Sequence, residues 1–176
     1  MGKAKPIVNC ERIDLEFAHT APVSVTVEQV VPVPPQRLWD IFCDAESWTK
    51  WVLPIQRVEW TSPFPIGVGS TRTVTMLGGL VGYEEYLAFE PCERFAFRFN
   101  QTTKGGPDAF LEDYRLTDLG DGSTRVAWTM AMRIGGPSAK APGLIAAGMK
   151  KANASFLKKL ASYAASNPTL ATLVDD

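Results

Sequence analysis

Hydrophobic and polar residues alternate along much of the chain between residues 24 and 134. Seven segments with this pattern predict β-strands, because successive side chains of a strand face opposite sides of a sheet. Short connectors rich in glycine and proline separate the last six segments, and such connectors favour antiparallel neighbours. The predicted strands are Ser24–Val31, Ile55–Trp60, Ser70–Met76, Val81–Glu90, Arg94–Asn100, Ala109–Asp118 and Ser123–Ile134.

Apolar residues spaced three or four apart predict helices in two other parts of the chain. Gln36–Phe42 and Ala45–Trp51 form two short helices between the first and second strands. Ser138–Ala165 is the longest helical stretch, and Pro142 suits a first helical turn, so we expect the continuous helix to begin near it. Its apolar stripe consists of Leu144, Ile145, Met149, Ala152, Phe156, Leu160 and Tyr163.

These elements predict an α+β fold in which a curved antiparallel sheet of seven strands wraps around the long C-terminal helix. One helix cannot cover such a wide sheet tightly, so space should remain between the two. That gap, lined by the inner face of the sheet, is the expected site for a ligand.

The connector Gly78-Gly79 suits a two-residue hairpin turn and sets the expected register of the third and fourth strands. In that register Arg72 lies opposite Glu85, and both side chains share the more apolar face, which we assign to the interior. The pair either fixes the register and closes one end of the barrel, or it orients a polar group of the ligand. A longer turn would shift the register and remove the direct pairing. The other inward residues in this register are Val74, Met76, Val81, Tyr83, Leu87 and Phe89.

The connector Gly120-Asp121-Gly122 predicts a three-residue loop between the last two strands. Tyr114 then lies opposite Trp128, and Glu112 lies opposite Met130, with all four side chains inward. Glu112 is therefore either a second interior carboxylate or a solvated group near the rim of the sheet. A slip of one residue would expose it and turn the other face of the strand inward. The remaining inward residues of this hairpin are Phe110, Leu116, Val126 and Met132.

An aromatic row is predicted on the inner face of the fifth strand, where it forms either plain core or the wall of a site for an aromatic or lipid-like ligand. Met149 and Phe156 of the long helix are expected to face it. The row consists of Phe95, Phe97 and Phe99. Three tryptophans should pack the short helices onto the end of the sheet or gate the mouth of the cavity, namely Trp39, Trp48 and Trp51.

Composition narrows the function classes for this chain of 176 residues. A net charge of −1 with no basic cluster disfavours nucleic-acid binding, and the absence of an apolar run of ~18 residues predicts no membrane span. The single histidine, His19, precedes the first predicted strand, which disfavours a Ser-His-Asp hydrolase or a His-rich metal site. Cys10, Cys43 and Cys92 are too widely spaced for a zinc motif or a disulfide framework. We expect a cytoplasmic protein without a metal or cofactor.

Several segments between residues 24 and 165, taken in order, resemble a known family. They are Val33–Asp40, Trp48–Trp51, Gly69–Arg72, Gly79–Glu85, Arg94–Phe99 and Asp121–Trp128, followed by the terminal helix. The family is the polyketide cyclase/dehydrase and lipid-transport group of the START-related superfamily, often called SRPBCC, which has the helix-grip fold. We expect a helix-grip domain at residues 23–166 and a C-terminal tail at 167–176. Residues 1–22 are mixed and polar and lie outside the resemblance, so we expect a tail or a loosely attached arm there.

The resemblance also implies a deep cavity between sheet and helix. Members of this group bind lipids, sterols, hormones or polyketides, and some catalyse cyclisation or dehydration. The residues of the cavity vary among members, so the fold does not fix the function. No catalytic signature is present that would allow roles to be transferred residue by residue.

We expect the protein to be a monomer or a homodimer. Three functions are consistent with the sequence. The first is transport or sensing of a hydrophobic small molecule such as a lipid or polyketide. The second is a polyketide cyclase/dehydratase in which Glu85 or Glu112 carries a proton, while Arg72 or Tyr114 stabilises negative charge on a carbonyl oxygen. The third is an interaction module whose cavity is filled by its own side chains. The candidate ligand-binding residues are Arg72, Val74, Met76, Tyr83, Glu85, Leu87, Phe97, Phe99, Phe110, Glu112, Tyr114, Trp128, Met130, Met149 and Phe156.

Overall fold

A curved antiparallel sheet of eight strands makes up most of the computed structural model, which describes residues 6–167. The strands are β1 (Ile7–Asn9), β2 (Val23–Val31), β3 (Ile55–Trp60), β4 (Thr71–Met76), β5 (Leu80–Glu90), β6 (Arg94–Thr103), β7 (Ala109–Asp118) and β8 (Thr124–Arg133). The helices of the described residues are α1 (Phe17–Thr20), α2 (Pro35–Cys43), α3 (Trp48–Trp51) and α4 (Pro142–Ser166).

The order of strands across the sheet is β2-β8-β7-β6-β5-β4-β3, and every pair is antiparallel. All seven predicted strands are present, and the long C-terminal helix lies in the concave side of the sheet, as the helix-grip fold requires. The eighth strand, β1, pairs with the end of β6 beyond the residues that β7 occupies. The fold class predicted from the alternation of residues is therefore confirmed.

The described part of the N-terminal arm, residues 6–22, is bound to the outer face of the sheet rather than loosely attached. Strand β1 supplies backbone hydrogen bonds, and the Ile13 carbonyl accepts one from Arg98 Nη1 at 2.6 Å. Phe17 of α1 packs with Ala109 and Leu111 of β7 in a small second core. A three-residue strand carries too little alternation to be recognised in the sequence. Residues 1–5, and all of the predicted C-terminal tail except Asn167, lie outside the described residues.

Helix α4 begins at Pro142, as predicted, but its buried side differs from the predicted stripe. The helix buries its second half against the sheet and the short helices, whereas its first turns are mostly exposed. Leu144 is 77% exposed, so its assignment to the stripe is wrong. The fully buried residues of α4 are Asn153, Leu157, Leu160 and Ala164. Periodicity shows which residues share a face of the helix, but contact with the sheet decides which of those residues are buried.

The turn between β4 and β5 is one residue longer than predicted, and this changes the register. Leu77–Gly79 forms the turn, with Gly78 and Gly79 at φ values of 77° and 73°, so Met76 lies opposite Leu80. Arg72 is consequently opposite Glu84, and the predicted pairing with Glu85 is wrong. Because side chains alternate along a strand, Tyr83, Glu85 and Leu87 face outward. A register shift between Tyr86 and Ala88 returns Phe89 to the inner core, as predicted, with its ring 4.9 Å from that of Trp39. The predicted register of β7 and β8 is confirmed, with Glu112 opposite Met130 and Tyr114 opposite Trp128.

Gly82 of β5 is a position where the fold requires the absence of a side chain. A Cβ atom added to Gly82 would lie 2.5 Å from Cζ of Phe99, whose ring packs against Phe110 at 4.3 Å between centroids. We therefore expect Gly82→Ala to lower the free energy of unfolding by about 1–3 kcal/mol, because the buried ring must move. Urea unfolding of the purified variant measures this difference.

The matched control is Gly67→Ala, in the loop between β3 and β4, because an added Cβ there meets no atom within 4 Å. Its unfolding midpoint should stay close to that of the wild type. Equal midpoints for the two variants would contradict the close approach of Phe99 to the backbone of β5.

Candidate functional site

A cavity of about 320 Å³ lies between the inner face of the sheet and α4. Strands β4 to β8 supply most of its wall, and Trp48 of α3, Phe156 of α4 and several residues of loops and strand ends supply the rest. The volume is at the lower end of the range of about 300–1,000 Å³ that is typical of small-molecule sites. Most predicted ligand-binding residues line it, namely Arg72, Val74, Met76, Phe97, Phe99, Phe110, Glu112, Tyr114, Trp128, Met130 and Phe156.

Four predicted ligand-binding residues do not line this cavity. Tyr83, Glu85 and Leu87 point to the outer face because of the longer turn before β5. Met149 is partly buried against the core, yet it lies outside the cavity wall. The sequence prediction missed Glu84, and an assumed three-residue turn would have been enough to place it inward. It also missed parts of the wall from loops and strand ends, which are Val52, Pro54, Ile55, Leu80, Gly105, Gly106, Pro107 and Ile134.

Arg72 and Glu84 form a buried ion pair in the wall of the cavity. Their side chains are 1% and 4% exposed, and Nε of Arg72 donates to Oε2 of Glu84. The guanidinium carbon lies 4.2 Å from the ring centroid of Trp48 and 4.6 Å from that of Phe97. Aromatic faces at this distance stabilise a cation that has lost its water. The charge of Arg72 is therefore held by one carboxylate and by two flanking rings.

Burial acts on the proton affinity of both members of this pair. Burial raises the pKa of Glu84, and the adjacent Arg72 guanidinium opposes that rise. For Arg72, burial alone would lower the pKa, but the charge and hydrogen bond of Glu84, together with the nearby Tyr86 and Glu112, outweigh it, so the pKa ends above its ordinary value. Arg72 thus remains a cation at every physiological pH.

Glu112 is a second carboxyl group in the wall, two residues before Tyr114 on β7. The hydroxyl of Tyr114 donates a hydrogen bond of 2.6 Å to Oε2 of Glu112. Burial raises the pKa of Glu112 to about 8, although the hydrogen bond from Tyr114 and the charge of Arg72 oppose the rise. The negative charge of Glu84 adds to the increase. At neutral pH Glu112 therefore holds a proton inside the cavity.

Stacked aromatic rings on three adjacent strands position Tyr114. Its ring lies 4.5 Å from that of Phe95 on β6 and 5.1 Å from that of Trp128 on β8, with interplanar angles of 15° and 14°. Such cross-strand stacking fixes both the ring and its hydroxyl. The indole of Trp128 is close enough to lower the pKa of Glu112, but its Nε1–H has no hydrogen-bond partner among the described residues.

Glu85 belongs to a polar network on the outer face of the sheet. Its Oε2 accepts hydrogen bonds from Asn100 at 2.7 Å and Arg98 at 3.0 Å, and it forms an ion pair with Arg12 of the N-terminal arm. Partial burial would raise the pKa of Glu85, but the hydrogen bonds from Asn100 and Arg98 lower it below the ordinary value. This carboxylate therefore holds the arm on the sheet and has no access to the cavity.

The described part of the chain offers no arrangement for a resident metal, since no three of its His, Cys, Asp and Glu side chains are grouped to ligate one. Within residues 6–167, no helix has the length and apolar character needed to cross a membrane. The chemistry available in the cavity is thus that of an apolar wall, a buried ion pair and a protonated carboxyl group.

Comparisons with known proteins agree with this architecture. An uncharacterized protein of Mycobacterium tuberculosis is 39% identical over 154 residues, which cover 88% of this chain and 92% of that protein. A solved protein of Thermus thermophilus has a TM-score of 0.67 at 19% identity, covering 83% of this chain and 99% of the other. The ZhuI aromatase/cyclase from Streptomyces sp. R1128 has a TM-score of 0.66 at 15% identity, covering 85% and 97%.

At such low identities the two solved structures show a shared fold alone. The family described as "Polyketide cyclase / dehydrase and lipid transport" matches residues 22–165, which include every strand of the cavity wall. The chain therefore belongs to this polyketide cyclase/dehydrase and lipid-transport family.

Proposed function

We propose that this protein binds a hydrophobic small molecule, such as a lipid or polyketide, in its internal cavity for transport or sensing. The observation that carries the proposal is the cavity of about 320 Å³ between sheet and helix, walled mainly by aliphatic and aromatic side chains. Burial of an apolar ligand against such a wall is favourable in proportion to the area removed from water. Membership of a family that includes lipid-transport proteins supports the proposal.

The cavity is at odds with the alternative of an interaction module whose interior is filled by its own side chains. Phe95 and Tyr86 do pack solidly behind the wall, but the space in front of Phe97, Phe99 and Phe110 is open. A filled core would leave no volume of this size between the sheet and α4.

Filling the cavity from its wall tests the binding proposal. Met76 lines the cavity near the end of β4, so we expect Met76→Trp to occupy the space and weaken binding of a fluorescent fatty acid at least tenfold. Fluorescence titration of the purified proteins measures the affinity. Native mass spectrometry after organic extraction shows whether a co-purified ligand is lost in the same variant.

The matched control is Thr75→Trp, one residue away on the outer face of β4. It adds a similar side chain without entering the cavity, so probe affinity should remain that of the wild type. Saturable binding that is unchanged in Met76→Trp would place the probe elsewhere and contradict the proposal.

A second candidate function, cyclisation or dehydration of a polyketide-like substrate, is favoured by the protonated carboxyl of Glu112. In an aldol-type ring closure the enol carbon of a β-ketone attacks a second carbonyl group, whose oxygen gains a proton while the enol oxygen loses one. Glu112 can donate the first proton from one oxygen and accept the second on its other oxygen, so its own protonation state is restored. The hydroxyl of Tyr114 and the cation of Arg72 lie in the same wall and would stabilise negative charge on that oxygen.

Turnover of a short poly-β-ketone thioester tests this second function. Glu112→Gln keeps the size of the side chain but removes the transferable proton, so we expect the rate to fall by about 10²–10⁴-fold. Product formation is followed by liquid chromatography and mass spectrometry. Glu85→Gln is the control, because Glu85 lies on the outer face, and it should retain the wild-type rate. Equal rates for the wild type, Glu112→Gln and Glu85→Gln would show that Glu112 takes no part in the reaction.

The proton on Glu112 has a further consequence for stability. Its pKa is about 8 in the folded protein against an ordinary value of 4.5, so between these pH values the folded state holds a proton that the unfolded chain has lost. The free energy of unfolding should therefore fall as pH rises from about 5 to about 8. The free energy of unfolding of Glu112→Gln, relative to that of the wild type, should increase by more than ~1 kcal/mol as pH rises over this range, as measured by urea unfolding.

The control for the pH series is again Glu85→Gln. The pKa of Glu85 is lower in the folded state than in the unfolded chain. Ionised Glu85 therefore stabilises the fold, and this stabilisation is lost only as the pH falls below the pKa of Glu85 in the unfolded chain. The difference in the free energy of unfolding between Glu85→Gln and the wild type should stay constant between pH 5 and 8. A constant difference for Glu112→Gln as well would show that Glu112 is already ionised at neutral pH.

A further inference from the structure

The wall of the cavity contains hydrogen-bond donors without partners. Nη1 of Arg72 and Nε1 of Trp128 are buried, and neither has a hydrogen-bond partner of good geometry among the described residues, although the indole N–H lies close enough to Glu112 to lower its pKa. Both residues line the cavity and are 1% exposed. A buried donor that lacks an acceptor is costly, so a ligand that brings an acceptor to this region recovers that cost.

One oxygen of each carboxyl group in the same region already accepts a hydrogen bond. Oε2 of Glu84 accepts from Arg72, and Oε2 of Glu112 accepts from Tyr114. Because burial raises the pKa of Glu112 to about 8, its carboxyl group also carries a proton that it can donate. The polar region of the wall thus offers unpaired donors at Nη1 of Arg72 and Nε1 of Trp128, together with the Glu112 proton, to an acceptor on the ligand.

The charge balance of the cavity disfavours an anionic ligand. Arg72 is the one basic side chain that lines the cavity within the described residues, and Glu84 already neutralises it. A ligand carboxylate would place a second negative charge beside one guanidinium, in surroundings from which water is largely excluded. Burying a charge without its own partner is strongly unfavourable.

Building on the proposed binding function, we propose that the ligand carries a neutral carbonyl group, as a ketone or quinone does, and that this group enters first. Its oxygen accepts hydrogen bonds in the region of Arg72, Glu112 and Trp128, where the unpaired donors of the wall are fully buried. The apolar body of the ligand lies against the rings of Phe97 and Phe110, which suit a flat or aromatic skeleton.

Three naphthalenes of matched shape test the head group at pH 7: 2-acetylnaphthalene, 2-ethylnaphthalene and 2-naphthoate. Titration calorimetry should show the ketone binding about tenfold more tightly than the hydrocarbon, with the carboxylate weakest. Equal affinity for ketone and hydrocarbon, or tightest binding of the carboxylate, overturns this inference while the proposed binding function stands. Failure of all three to bind contradicts both.

Two substitutions of Glu112 distinguish a donor from a mere space-filling group. In Glu112→Leu the preference for ketone over hydrocarbon should disappear, while unchanged binding of 2-ethylnaphthalene shows that the cavity is intact. Glu112→Gln retains an N–H donor and should keep the preference. A preference for the ketone that survives in Glu112→Leu overturns the role given to Glu112.

The pH dependence of the preference gives an independent readout. The groups that act on Glu112 are Tyr114 on its own strand, Arg72 on β4, Glu84 on β5 and Trp128 on β8, whereas Phe156, the residue of α4 in the wall, does not titrate. Above pH 8 the wild type should lose part of its preference for the ketone as Glu112 ionises, and Glu112→Gln should not. Identical pH profiles for the two proteins contradict the proposal.

Discussion

The buried contact between Arg72 and Glu84 is the interaction on which the rest of the cavity depends. Two charges removed from water are tolerated only when each finds its counterpart and further favourable contacts, and here the rings of Trp48 and Phe97 supply those contacts. The pair joins neighbouring strands β4 and β5 in one register. The guanidinium of the same pair also contacts the ring of Trp48, which belongs to α3.

The protonation of Glu112 is a consequence of this pairing. The positive charge of Arg72 is already matched by Glu84, so little of it remains to stabilise a second carboxylate, and burial keeps Glu112 neutral near pH 7. The cavity therefore presents an apolar wall with a polar region that carries no net charge. This combination suits both binding of a hydrophobic molecule and acid catalysis on a carbonyl compound.

The two faces of β5 have different roles, since the inner face lines the cavity and the outer face contacts the N-terminal arm. Glu84 faces inward to Arg72, whereas its neighbour Glu85 faces outward to Arg98, Asn100 and the N-terminal arm. The arm thereby covers part of the outer face, where Phe17 buries apolar residues of β7 and β8 that the helix cannot reach. Adjacent carboxylates in the sequence thus have opposite surroundings and opposite shifts in pKa.

Alternation and helical spacing by themselves determined the seven main strands, the long helix and the inward set of β7 and β8. These features depend on which residues share a face, and the pattern of apolar residues encodes that locally. Tertiary structure alone decided that Glu84 rather than Glu85 meets Arg72, because one additional residue in the turn at Leu77–Gly79 reverses the faces of β5. It also decided the proton on Glu112 and the burial of α4, since both depend on neighbours brought from distant strands and no local pattern records those contacts.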